Sequence, residues 1–368
     1  MAAGVRQEGT TTFQVGNAFY RAESQISRDL GVLAVAVQRQ RQAEFRVLDA
    51  TTGCGVRALR YVLEGGATAV WANDADPEVG PILTQNLAQL APEQVRVTHW
   101  EANRVFADCL VRRDYYDLVD LDCFGTPAPY VSSILGATRL GGLIYLTSTD
   151  GRTISGRSPA DSLRLYGTYA RSHPSLQEQG LRILLGGLSQ QASARGFGIE
   201  PVFSLYIGQI YRVMVRLVSE SATYPDCYGF LGYCHGCGDY QCVDWRRLNR
   251  AQCLHHPTPQ PLTLSGPMWL GPLHGAGMLQ PMMELAGRWD WGDRYRLLEV
   301  MAQEASLPPY LIPLGEIGRR GKMDIPNRDR LIAALRDQGF RASPTHLDSQ
   351  AIKTDAAIAQ CLEIARTC

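Results

Sequence analysis

The run "DLVDLDCFGTPAP" sets Asp120, Asp122, Cys123, Phe124 and Gly125 together at the end of an apolar stretch. An acid followed at once by a small residue, an aromatic and glycine suits the exocyclic amine of a nucleobase. The carboxylate and a neighbouring backbone carbonyl accept its two N–H bonds, and the ring stacks on the base. Such an amine is a poor nucleophile because its lone pair is delocalised into the ring. A proton acceptor beside it restores reactivity as a group is transferred. Taken alone, Asp120 or Asp122 would read as a helix cap.

A second constellation lies earlier. "VLDATTGCGVRALR" ends an apolar run at Asp49 and places Gly53 and Gly55 in a turn where backbone must bend sharply or approach a ligand, with Arg57 just beyond. About 20 residues on, Asp74 and Asp76 close another apolar run, where an acid can hold a ribose diol. The pair fits a dinucleotide or S-adenosylmethionine. The third glycine of the dinucleotide fingerprint is missing, which speaks against a nicotinamide-dependent oxidoreductase.

The third constellation is cysteine-rich. Of ten cysteines, Cys227, Cys234, Cys237, Cys242 and Cys253 fall close together. Cys234, Cys237, Cys253 and His256 give C-x2-C-x15-C-x2-H, a spacing for a closed tetrahedral Zn2+ site. His255, Cys242 and His235 are rivals for the fourth place. Cys54, Cys109, Cys361 and Cys368 read as packing residues.

These residues need a frame. Short apolar strands at "FRVLDA", "TAVWANDAD", "QVRVTHWEAN", "YYDLVDLD" and "GGLIYLTSTD" alternate with helical segments, including Asp29–Arg41, Pro77–Leu90 and Tyr130–Leu140. Five alternations predict a doubly wound, Rossmann-like α/β sheet with its ligand at the carboxyl ends of the strands. A long helix over Leu176–Arg195 follows. Two strands around Gly208 then predict an antiparallel hairpin at the sheet edge. At Ser219 the character changes to Cys, Gly, Pro and His. The division expected is a first domain over 1–218 and a smaller α+β domain over 219–368 carrying the zinc site.

Composition bounds the function. With 45% hydrophobic and 20% charged residues the chain is globular, and 36 basic against 36 acidic residues leave no net charge. Bulk electrostatics therefore cannot hold a nucleic acid, and a local patch is required. Thirty-four of the basic residues are Arg, which a GC-rich genome explains as well as phosphate binding does. The apolar stretch Val32–Val37 is far short of the roughly 20 residues that span a bilayer, so no membrane role and a cytoplasmic location are expected.

Taken in order, these blocks resemble the tRNA (guanine-N2)-dimethyltransferase family, which makes N2,N2-dimethylguanosine, usually at position 26 of tRNA. The resemblance extends to "FYRAESQISRDLGV", "EANRVF", "LRILLGGLSQQASARGFGIEPVFSL", "MWLGPLHGAGML" and "GFRASPTHLDSQAIKTDA". It implies a class I methyltransferase sheet and an S-adenosylmethionine-dependent enzyme acting on tRNA. It implies that Arg28, Arg57, Asp74 and the pair Glu101–Ala102 contact S-adenosylmethionine, together with Asp49 and the Gly53/Gly55 turn. Asp122 becomes the catalytic acid and Phe124 the stacking ring. Three departures stand out: Glu101 where Asp is usual, Cys123 where the family has Pro, and His256 where a fourth Cys is common. An RNA-binding, inactive paralogue is the alternative, and the intact Asp122, Gly53 and Gly55 favour an enzyme. The late blocks, with Arg319, Arg320 and Lys322 in "GRRGK" and with His346 and Lys353, are expected to dock tRNA.

Overall fold

A computed structural model of the chain describes residues 4–219 and 227–367; Cys368 lies outside them. Its centre is a seven-stranded sheet built from β1 (Arg46–Asp49), β2 (Ala69–Asn73), β3 (Val95–Thr98), β4 (Tyr116–Leu121), β5 (Thr138–Ser148), β6 (Gly198–Ile207) and β7 (Ile210–Val218). The spatial order is β3-β2-β1-β4-β5-β7-β6. The first five strands run parallel and the β6–β7 hairpin closes one edge antiparallel. Strand order reverses between β1 and β4, the switch point where a ligand crevice opens at the strand ends.

The central strands β1, β2 and β4 are short, apolar and buried, as the middle of a parallel sheet requires, while the outer β3 is half-buried. Leu48, Val119, Ile144 and Leu146 join one core, with Leu181, Leu184 and Leu188 of helix α5 (Leu176–Ser193) behind them. On the other face, α1 (Gln25–Arg39) and α2 (Val56–Leu63) bury Leu33, Val35, Leu59 and Val62. The helix expected over Tyr130–Leu140 is a single turn, Val131–Ile134. Thr138 already starts β5, because Tyr116 pairs with it in the sheet.

The polar amino terminus forms a hairpin, Val5–Glu8 with Thr11–Gln14, that the sequence did not signal. It carries the buried Glu8 against α1 and α2. There Glu8 accepts from Arg28 and, at 2.9 Å, from Arg60.

After β7 the chain builds a small antiparallel sheet of Tyr228–Tyr233, Tyr240–Val243 and Thr263–Trp269, which packs on α5. Two helices, Ala276–Arg288 and Gly292–Glu304, return to α1 and bury Met278, Leu279 and Met282 in the core that α1 shares. Buried polar contacts fasten the late chain to α5 and hold it together. Lys353 donates to Glu178 of α5 at 2.6 Å, and Glu304 pairs with His274 and with His346. The side chains of His346 and Lys353 are 0% and 2% exposed, so they are joints of the fold and not an RNA surface. No helix among the described residues is long and apolar enough to cross a membrane.

Candidate active site

The carboxyl ends of β1, β2, β4 and β5 open into a cleft of about 470 Å³. Thr51–Cys54 form its floor, Asp74 and Asp76 one side, Asp122–Phe124 the other, and the segment from Phe19 to Arg28 a wall. Gly53 and Gly55 both adopt positive φ, 56° and 82°. A side chain at Gly55 would also strike Leu83, 2.7 Å from its Cβ, so this turn admits only glycine there. The Gly53 N–H donates to Asp74 at 2.8 Å, and the other Asp74 oxygen accepts the Asp76 N–H at 3.0 Å. Asp74 therefore ties the end of β2 to the turn after β1 across the cleft.

Among the cleft acids, Asp122 is held by two guanidinium groups. Its backbone N–H donates to Thr51 Oγ1 at 2.8 Å. Its two carboxylate oxygens face Arg57 and Arg212, the latter at 2.6 Å. Arg57, expected at the cofactor, does line the cleft, but its guanidinium lies on Asp122 and 3.6 Å from Asp120. Arg57 Nη1 and Arg212 Nε and Nη1 are buried without a hydrogen-bond partner. Arg212 comes from β7, 90 residues after Asp122, and no local motif marked it. In retrospect, an Arg inside the apolar run "IYRVMVRLV", four residues before Arg216 toward its far end, is the signal.

Beneath this pair, Asp49 and Asp120 are wholly buried. Burial and the Asp120 carboxylate push the Asp49 carboxyl upward. Thr52 Oγ1 donates to Asp49 at 2.7 Å and Tyr61 donates to Asp120 at 2.5 Å. Asp49 is thus a buttress under the turn.

Phe124 is 69% exposed at the cleft mouth, edge-on to Phe19 at 4.6 Å between centroids. Exposed aromatic faces beside an acid suit a flat base. Cys123 Sγ lies 3.6 Å from the Thr147 carbonyl, and the Gly125 carbonyl accepts from Thr149 and Asp150 N–H, so the loop is fixed to the end of β5. Arg28 lines the cleft with its guanidinium tied to Glu8 and the Arg21 carbonyl. Glu101 caps the helix Ala102–Arg112 and faces Tyr130, a cleft residue whose phenol burial and Glu101 push upward. Ala102 is buried at that helix start.

A larger cavity of about 570 Å³, lined by Gln38, Glu200, Arg216 and Met278, opens at the opposite end of the sheet, away from these acids.

The cysteine knuckle comes together as the spacing predicts. The donor atoms of Cys234, Cys237, Cys253 and His256 all lie within 4.8 Å of one another. Cys234 Sγ is 3.2 Å from His256 Nε2 and Cys237 Sγ 3.5 Å from Cys253 Sγ. His255 instead faces Asp239 at 3.1 Å, and the ring of His235 sits edge-on to Tyr233. The "GRRGK" segment closes a helix, Leu314–Gly321. Arg320 donates to the Gly236 carbonyl at 2.8 Å and to Tyr233 at 2.9 Å, clamping the knuckle. Arg319 pairs with Glu316. Only Lys322 of that basic trio is left without a partner among the described residues.

Comparison with known proteins agrees with this geometry. The chain matches the family described as N2,N2-dimethylguanosine tRNA methyltransferase over residues 2–366. It is 27% identical to the tRNA (guanine(26)-N(2))-dimethyltransferase of Pyrococcus abyssi, over 92% of this chain and 90% of that one. To the protein of the same name from Pyrobaculum calidifontis it is 29% identical over 98% of both. The structure of Trm1 from Pyrococcus horikoshii with S-adenosyl-L-methionine superposes with a TM-score of 0.84 at 26% identity, covering 98% of this chain and 99% of that one. The chain therefore belongs to the N2,N2-dimethylguanosine tRNA methyltransferase family.

Proposed function

We infer that this protein transfers methyl groups from S-adenosylmethionine to the exocyclic N2 of a guanine in tRNA, at position 26, forming N2,N2-dimethylguanosine. The observation that carries the reading is Asp122, held beside an exposed aromatic at the mouth of a cleft floored by the Gly53/Gly55 turn. Family membership supplies the substrate class.

Bound S-adenosylmethionine would supply an electrophilic methyl group, its S–CH3 bond breaking as the N–C bond forms and leaving neutral S-adenosylhomocysteine. Asp74, Gly53 and Gly55 are the residues suited to its ribose, with Arg28 and Arg57 lining the same cleft; Asp49 supports the turn from beneath, and Glu101 and Ala102 stand back from the cleft at a helix start. Phe124 stacks on the guanine. Asp122 and the Cys123 carbonyl accept the two N–H bonds of N2. As the N–C bond forms, the nitrogen becomes cationic and acidic, and Asp122 takes its proton. The second round repeats this with the remaining N–H. A base inside folded tRNA is stacked, so the guanine flips out to reach Asp122.

Zn2+ fits the knuckle, since three thiols and one imidazole within bonding reach of a common centre make a closed structural set. Cys234, Cys237, Cys253 and His256 would hold it. The metal would brace the 219–368 region and take no part in transfer. An enzyme of this substrate works in the cytoplasm, where tRNA is found.

The test is mass spectrometry of nucleosides after reaction with unmodified tRNA, mapped to position. Expected is loss of guanosine at position 26 and gain of its N2,N2-dimethyl form. Methylation at another atom would overturn the reading.

A further inference from the structure

Resting on that reading of the substrate, the geometry points to Arg152, Arg157 and Arg171, with Tyr169, as a rim that grips the tRNA phosphodiester backbone beside the flipped guanine. The chain has no net charge, and several of its exposed arginines are neutralised by a neighbouring acid. Arg112, Arg139, Arg164, Arg296, Arg319 and Arg341 each face a carboxylate within 3.2 Å. The rim arginines are exposed and form no ion pair among the described residues, although Arg152 stands near enough to Asp161 to stabilise its carboxylate. The acids nearest in sequence are occupied. Asp161 pairs with Arg164 and accepts from Ser158, and Asp150 caps its own helix by accepting from Thr153 N–H.

Their position follows from the backbone. The segment leaves β5 at Thr149, which lines the cleft, and reaches Arg152 within three residues. A Cβ on Gly151 would touch the Tyr211 ring at 3.5 Å, and Ile210 next to it also lines the cleft. Gly156, at φ 83°, lies so close to the backbone of Arg171 that an added Cβ would sit 2.4 Å from its carbonyl carbon. That contact brings Arg157 and Arg171 side by side.

Tyr169 is held by paired backbone hydrogen bonds with Gly266, at 2.9 and 3.2 Å, and Arg171 N–H donates to Ser265 at 2.9 Å. The Arg171 guanidinium lies 5.9 Å from the Tyr169 ring centroid. Across the cleft, Arg21 is exposed and likewise without an acid. Unpaired guanidinium groups on both sides of a base-sized cleft match the phosphates on either side of an extruded nucleotide.

The experiment compares wild type, R152S/R157S/R171S and R246S/R247S/R250S for binding of an unmodified tRNA transcript across a salt series. Calorimetry with S-adenosylmethionine and methyl transfer accompany it. The rim variant should bind tRNA at least 10-fold more weakly and show a flatter dependence of affinity on salt, by about two counterions for three lost contacts. Its S-adenosylmethionine affinity should match wild type. Parent tRNA affinity and slope in the folded rim variant would overturn the rim while leaving the methyltransferase reading intact. Loss confined to the Arg246/Arg247/Arg250 variant would move docking to the knuckle and overturn it too. Wild type that methylates no tRNA guanine at N2 would overturn both.

Discussion

Arg212 Nη2 lies 2.6 Å from Asp122 Oδ1, joining β7, the antiparallel strand between β5 and β6, to the loop after the central strand β4. Arg57 takes the other carboxylate oxygen from the opposite side. The carboxylate plane is fixed before any substrate arrives, which is the preorganisation that a directional proton acceptor needs. Arg212→Met should lower kcat by about 100-fold, the scale of a misplacement of the reacting groups by about 1 Å. KM for S-adenosylmethionine should hold, and Arg212→Lys should recover part of kcat. Steady-state kinetics on the folded variants check this. Equal losses in the Met and Lys variants would remove the positioning role.

Asp122 itself should matter more for turnover than for binding. Asp122→Ala should lose about 100-fold or more in kcat, a typical general-base contribution. Its affinity for S-adenosylmethionine should stay close to wild type. Single-turnover methyl transfer decides the matter, and near-normal turnover in a folded variant would reassign the proton acceptor.

Asp74 has a double duty that the sequence did not reveal. It accepts the Gly53 N–H as well as lining the cleft proposed for the ribose. Asp74→Ala should weaken S-adenosylmethionine binding by about 1.5–3 kcal/mol, the range for hydrogen bonds to a charged group. Asp74→Asn keeps an acceptor for Gly53 and should fall in between. Calorimetry on both variants separates loss of the ligand contact from loss of the turn.

The knuckle should carry one Zn2+ per chain by elemental analysis. Cys253→Ser should lower that content and the thermal midpoint together. Arg320→Ala removes the hydrogen bonds to Gly236 and Tyr233, so it should speed metal loss to a chelator without touching a donor atom. A metal-free protein from chelator-free purification would rule the site out.

Acid should destabilise the fold through two buried imidazoles. Burial lowers His173 and His274 to about 4, although Gln179 and Glu304 respectively partly offset it. The unfolded residues titrate near 6.5. Between those values the unfolded chain binds the protons, so stability falls as pH drops from about 6.5 toward 4, by up to about 3 kcal/mol per residue. Urea unfolding at pH 7 and pH 5 measures this. His274→Asn should flatten part of the dependence, and an unchanged profile would show that His274 does not carry it.

Much of this molecule is written locally. Apolar runs closed by Asp49, Asp74 and Asp122, with Gly53 and Gly55 in the intervening turn, define the sheet and one end of it, because strand periodicity and positive φ are properties of a few consecutive residues. The hairpin around Gly208 was legible for the same reason, and the Cys/His spacing pointed to the cluster of Cys234, Cys237, Cys253 and His256. Tertiary structure decided what those residues touch. Glu8 and Arg60 meet across 52 positions and Arg212 reaches Asp122 across 90. Charged pairs inside a core leave no periodic trace in sequence, since each partner alone looks like a surface residue. His346, Lys353 and Arg320 showed the same limit from the other side. Their sequence reads as a basic surface, yet Glu304, Glu178 and the knuckle carbonyls draw them inward, because a buried charge is tolerated where a partner awaits it.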